Sequence, residues 1–167
     1  MNKRKNFLFI LSDDHGAWAM GCAGNRELHT PNLDRIAANG VRFRNMFCAS
    51  PVCSPARMSI YTGKIPSQHG VHDWLAKGHL DETVLSDELK KAFRQDKPAW
   101  EYKWPKSQLQ GDKPIRYMDG HVAFTQILAE NGYRCGLSGK WHMGDSYTPQ
   151  AGFTYWKTTA MGGENYF

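Results

Sequence analysis

The sequence predicts an α/β fold, with a largely parallel central sheet flanked by helices, and three observations carry that prediction. Asn6 to Ser12 (Asn-Phe-Leu-Phe-Ile-Leu-Ser) is a short continuous apolar run, the pattern of a strand buried on both faces. A helix, an Asn-Gly pair and a strand then follow one another twice, first around Asn39-Gly40 and again around Asn131-Gly132. Strands alternating with helices are the signature of a sheet whose crossovers are helical.

Each element has a local reason. The first strand stops at Ser12, where two acids follow at once. Thr30 is placed to cap a helix and Pro31 to occupy its first position, with Leu33, Ile36 and Ala37 on one face and Gly40 at its end. Val41 to Phe47 alternates apolar and polar residues as a strand does. From Cys53 the chain is helical again, with Pro55 in its first turn and Gly63 at its end. Val122 to Glu130 reads as a helix and Tyr133 to Ser138 as the strand after it. Phe93 to Met118 mixes lysines with Trp100, Tyr102, Trp104 and Tyr117, and its prolines break any regular period, so it reads as a loop or insertion, either a surface connection whose aromatics pack on the body or a substrate-facing lid.

Bulk properties set the limits. A chain of 167 residues, 41% hydrophobic and 22% charged, is long enough for one domain with a real core. Its 21 Lys+Arg against 16 Asp+Glu give a formal charge of +5, which favours anionic substrates at long range. The basic residues are scattered, without the Lys/Arg run or stacked aromatics of a nucleic-acid module, so no nucleic-acid partner is expected. No stretch is long and apolar enough to cross a bilayer, and Phe7 to Leu11 runs into Ser12-Asp13-Asp14 without a cleavage site, so neither membrane nor export is expected. The four cysteines, at 22, 48, 53 and 135, lack the spacing of a disulfide framework or zinc site. Reduced thiols in the cytoplasm are the expectation, with Cys22, Cys48 and Cys135 as buried apolar residues.

The chemistry concentrates in three places. Cys53-Ser54-Pro55-Ala56-Arg57 puts a cysteine at a helix N-terminus, where backbone N–H groups and the helix dipole favour anions. Arg57, one turn on, adds a planar fork suited to sulfate or phosphate oxygens. A thiolate nucleophile of the cysteine-phosphatase kind would need a longer Gly-rich loop between Cys and Arg. Asp13 and Asp14 leave the C-terminal end of the first strand, the edge where α/β sheets place ligands. Adjacent carboxylates there repel unless a cation lies between them, and such oxygens favour Ca²⁺ or Mg²⁺. Gly139-Lys140-Trp141-His142-Met143-Gly144 leaves another strand end. His69 reads as either a packed supporting residue or a direct participant, and no role is assigned to it.

Taken together, Cys53-x-Pro55-x-Arg57, the following Thr62-Gly63-Lys64-x-Pro66-x-x-His69-Gly70, Asp13-Asp14 and Gly139-Lys140-Trp141-His142 resemble the formylglycine-dependent (type I) sulfatase family. The resemblance runs from about Asn6 to the end of the chain. It implies the alkaline-phosphatase-like sandwich, of which residues 1–167 would be the N-terminal part of a truncated catalytic domain. It also implies that Cys53 is converted to formylglycine by a formylglycine-generating or sulfatase-maturating enzyme. The hydrated aldehyde would attack sulfur, expel the alcohol or amine, and later collapse to release sulfate. Asp13, Asp14 and position 53 would hold Ca²⁺, with Mg²⁺ as the other candidate. Lys140 would stabilise charge, and His142 would bind a hydroxyl or handle its proton. The substrate would be a sulfate ester, small molecule or sulfated carbohydrate. The family's later metal ligands have no counterpart up to Phe167, so little or no sulfatase activity and an incomplete, exposed sheet edge are expected of this polypeptide alone. Two other readings stand beside this one: a phosphonate or phosphate-ester hydrolase on the same scaffold, and an inert fragment that binds only metal or anion.

Overall fold

The computed structural model describes residues 4–75, 109–110 and 113–159, which fall into two compact units, Met1–Phe47 and Cys48–Phe167. Most of the Phe93 to Met118 stretch, with Trp100, Tyr102 and Trp104, lies outside the described residues, as does His79. No helix among the described residues is long and apolar enough to cross a membrane.

The first unit is built around α1 (Pro31–Asn39) and a short 3-10 turn, Gly21–Ala23. The expected proline start and Gly40 end are both present. Thr30 does not cap with its side chain: its hydroxyl donates to Asp34 Oδ1 at 3.0 Å and accepts from the Gly21 N–H at 2.7 Å. Asp34 also accepts from the Cys22 N–H at 2.7 Å, and that backbone bond holds its carboxyl below the ordinary aspartate value. Arg42 reaches the Cys22 carbonyl, so the turn is tied from two sides.

Two expected strands are not strands. Among the described residues neither Asn6 to Ser12 nor Val41 to Phe47 forms a strand, and Phe7, Leu8, Phe9, Ile10, Phe43 and Phe47 are exposed. A strand buried on both faces needs neighbours at its edges and covers on its faces, and no described residue of this unit forms a strand that could provide them. The apolar sequence pattern is real; the partners that would turn it into a sheet are not among the described residues. Cys48 is exposed and Cys22 half-buried, which corrects the expectation that both are core residues, whereas Cys135 is buried as expected.

The second unit holds α2 (Cys53–Thr62), α3 (Pro66–His69), the short antiparallel pair β1 (Leu109–Gln110) and β2 (Lys113–Pro114), α4 (Phe124–Glu130), β3 (Cys135–Gly139) and β4 (Phe153–Thr158). Gly63 ends α2 in the left-handed conformation, with its N–H on Ser59 O, as its position in the sequence predicts. The predicted helix and strand around Asn131-Gly132 are α4 and β3, shortened by about two residues at their starts. β3 and β4 run parallel, with Cys135 opposite Phe153 and Gly139 opposite Thr158. Here the α/β character of the chain is visible directly.

A parallel pair needs a connection that returns the chain to the same end of the sheet. Residues 140–152 make that return without a helix, so main-chain bonds and aromatic packing must hold the segment. Asp145 N–H donates to Ile115 O at 3.0 Å, and Trp156 Nε1 donates to Ser146 O at 2.8 Å. Trp141 is fully buried, edge-on to Tyr61 at 5.2 Å and to Trp156 at 5.0 Å. Tyr61 stacks on Phe124 at 5.5 Å, joining α2 to α4 over a core that includes Met58, Met143 and Phe153.

Candidate active site

Cys53 is the first residue of α2, behind an extended Val52 whose carbonyl accepts the Ala56 N–H at 2.9 Å. Its side chain is half-buried and its thiol is free, while Ser54 and Pro55 beneath it are fully buried. The first-turn amides of a helix have no intrahelical acceptor, so this end of α2 presents partial positive charge beside the cysteine.

Arg57, one turn on, is 6% exposed. Its Nη1 donates to the main-chain carbonyl of Lys140 at 2.6 Å. The guanidinium therefore braces the segment after β3 as well as contributing positive charge to the site. Such a bond between a charged donor and a carbonyl is stronger than a neutral one.

His142 is 1% exposed and adopts φ +57, a backbone conformation that non-glycine residues seldom take. Its Nε2 lies 2.9 Å from Leu75 O, and the edge of Trp74 packs on the ring at 5.5 Å. Leu75 N–H donates in turn to Ser54 Oγ at 3.2 Å. Backbone strain at a buried polar residue persists only where the surroundings hold it, and these contacts do so.

Of the residues singled out in the sequence, Cys53, Arg57, Lys140 and His142 belong to one unit, and two hydrogen-bonded links tie the cysteine's helix to the Lys140–His142 segment. Sequence reasoning missed Ser54, Trp74 and Leu75. Ser54 sits inside the cysteine motif and could have been singled out there; Leu75 acts through its main-chain N–H and C=O, which no side-chain pattern reveals. His69 is buried, with Nε2 2.9 Å from Ser59 Oγ and Nδ1 accepting the Val71 N–H at 3.2 Å. Burial first, and then the nearby His121 and His72, keep its pKa below the ordinary histidine value. A cavity of about 370 Å³, lined by Arg116, His121, Gln126 and Gln150 among others, shares no residue with this constellation.

Asp13 and Asp14 belong to the first unit, where both are exposed and Asp14 takes φ +54. Among the described residues no group of three or more His, Cys, Asp or Glu side chains is placed to hold a metal ion. Two neighbouring carboxylates fall well short of the six to eight oxygens that Ca²⁺ takes. The described residues thus do not make a complete metal site.

Comparison with known proteins bears on this constellation. A family model described as Sulfatase matches residues 5–166. Human steryl-sulfatase is 30% identical over 152 residues, 91% of this chain and 21% of that protein. The N-acetylglucosamine-6-O-sulfatase of Bacteroides thetaiotaomicron is 30% identical over 154 residues, 92% of this chain and 20% of that protein. Among solved structures, the yidJ protein of Bacteroides fragilis, described as a sulfatase, matches 78% of this chain and 22% of its own at 26% identity, with a TM-score of 0.49. The chain thus spans about a fifth of the length of these relatives.

Proposed function

The chain belongs to the sulfatase family, and from that premise we propose that it carries the nucleophile-bearing and anion-binding part of a sulfuric ester hydrolase, with Cys53 converted to formylglycine by a maturation enzyme. The observation that supports this most is the placement of Cys53 at the start of α2, with Arg57 one turn on and Lys140 and His142 on the segment that Arg57 braces.

When present, the hydrated aldehyde supplies a hydroxyl nucleophile toward sulfur and splits one difficult hydrolysis into two easier steps. Around it, α2's first-turn amides and the Lys140 ammonium favour the charge on the sulfuryl oxygens. His142 takes part in proton handling at position 53. Asp13 and Asp14 would be among the carboxylates that hold a divalent ion. The substrate class is a sulfate monoester; the steryl and N-acetylglucosamine relatives place no common demand on the alcohol.

Sulfate binding by the matured chain tests the reading. Sulfate also stabilises proteins generally by exclusion from their surface, so the comparison is between wild type and Lys140→Ala, which keeps the carbonyl that Arg57 binds. The wild type should gain thermal stability at low millimolar sulfate, by about 1 to 3 kcal/mol when sulfate exceeds its dissociation constant ten- to hundredfold, and the variant should not. Equal responses in the two proteins, or a response to phosphate alone, would overturn it.

A further inference from the structure

Ser54, Leu75 and His142 form a continuous link between the helix that carries the nucleophile position and the segment after β3. Leu75 N–H donates to Ser54 Oγ at 3.2 Å, and Leu75 O lies 2.9 Å from His142 Nε2. The main chain of one residue, Leu75, therefore joins two side chains that lie far apart in the sequence. Ser54 and His142 are fully buried, and Leu75 nearly so.

The chemistry of the acceptor fixes the proton. A carbonyl oxygen only accepts, so Nε2 must carry hydrogen and donate it to Leu75 O. In neutral imidazole the other nitrogen, Nδ1, then holds the basic lone pair. The ring is buried and meets the Trp74 ring edge to face at 5.5 Å, which hinders its turning over. Ser54 in turn holds the amide side of Leu75, and the carbonyl that receives the ring lies on the other side of the same Cα.

We propose that Ser54 is a positioning residue: acting through the main chain of Leu75, it holds His142 as the Nε2–H tautomer and makes Nδ1 the nitrogen that exchanges a proton with the group at position 53. The proposal deepens the sulfatase reading, since the proton exchange has meaning only there. The holding of the tautomer can be measured without any aldehyde or turnover.

The experiment is long-range ¹H–¹⁵N correlation of the histidine rings in the full chain with Cys53 as the unmodified thiol, His142 being assigned by loss of its signals in His142→Gln. In wild type, Nδ1 should show the shift of an unprotonated ring nitrogen, and the Hε2 proton should be visible and slow to exchange with water. Ser54→Ala should accelerate Hε2 exchange by about tenfold, the scale of one lost hydrogen bond, and Ser54→Thr, which keeps a hydroxyl, should restore most of the protection. A protonated Nδ1 in wild type overturns the proposal without recourse to any variant. So does an Hε2 exchange rate that is the same in Ser54→Ala and wild type. Neither result touches the formation of an aldehyde at position 53, and failure of that modification leaves the tautomer readout intact.

Discussion

Arg57 Nη1 donates to Lys140 O at 2.6 Å, joining residues 83 positions apart. The arginine of the cysteine motif is thus the main-chain anchor of the segment that carries Lys140 and His142. Arg57→Ala should destabilise the second unit by about 2 kcal/mol, the range for hydrogen bonds to charged groups, and Arg57→Lys should cost less. Urea unfolding measures the loss, and amide hydrogen exchange should speed up at residues 140–143 more than in α4.

Two glycines should answer differently to alanine. At Gly144, φ is +85 and an added Cβ would overlap the Ile115 carbonyl, a backbone atom that cannot swing aside. At Gly63, φ is +68 but the space is open. Gly63→Ala should therefore cost only about 1 to 2 kcal/mol of left-handed strain, whereas Gly144→Ala should prevent ordered packing of residues 140–146. Thermal unfolding of the two variants compares them; similar midpoints would mean that the approach of residues 115 and 144 is looser than described.

His69 makes stability depend on pH in a definite direction. Its folded pKa lies below the ordinary value, chiefly because it is buried, so the unfolded chain binds the proton more readily. The neutral ring's contribution is complete above about pH 6.5, and it is lost as pH falls through that value toward the folded pKa. Unfolding free energy should fall between pH 7 and pH 5, and His69→Gln should flatten that slope. An unchanged slope would show that other groups govern the acid limb.

Met58 is 0% exposed on the inner face of α2. Met58→Ala should cost about 2 to 5 kcal/mol and leave the Cys53 end of the helix in place. Near-native signals at residues 53–57 with a lowered urea midpoint would show this.

Much of the local structure could be read in advance because the signals are short-range. Pro31, Gly40, Gly63 and Asn131-Gly132 bound helices for steric reasons that need no tertiary context. The cysteine motif likewise announced a helix start, and α2 begins at Cys53. What failed was whatever depends on a neighbour. Residues 6–12 and 41–47 carry strand-like patterns, yet a strand exists only with a partner, and none lies among the described residues of their unit. The site shows the same division. Cys53, Arg57, Lys140 and His142 were visible as side-chain types in motifs, but Leu75 works through its main chain, and no residue letter encodes the direction of a carbonyl.

The most direct measurement of the central claim is the mass of the tryptic peptide Asn45–Arg57 after co-expression with a formylglycine-generating enzyme. This peptide carries two cysteines, Cys48 and Cys53, so it contains its own control. The account predicts an aldehyde at residue 53, located by fragmentation, with residue 48 still a thiol. Two intact thiols, or modification of residue 48 instead, would contradict it.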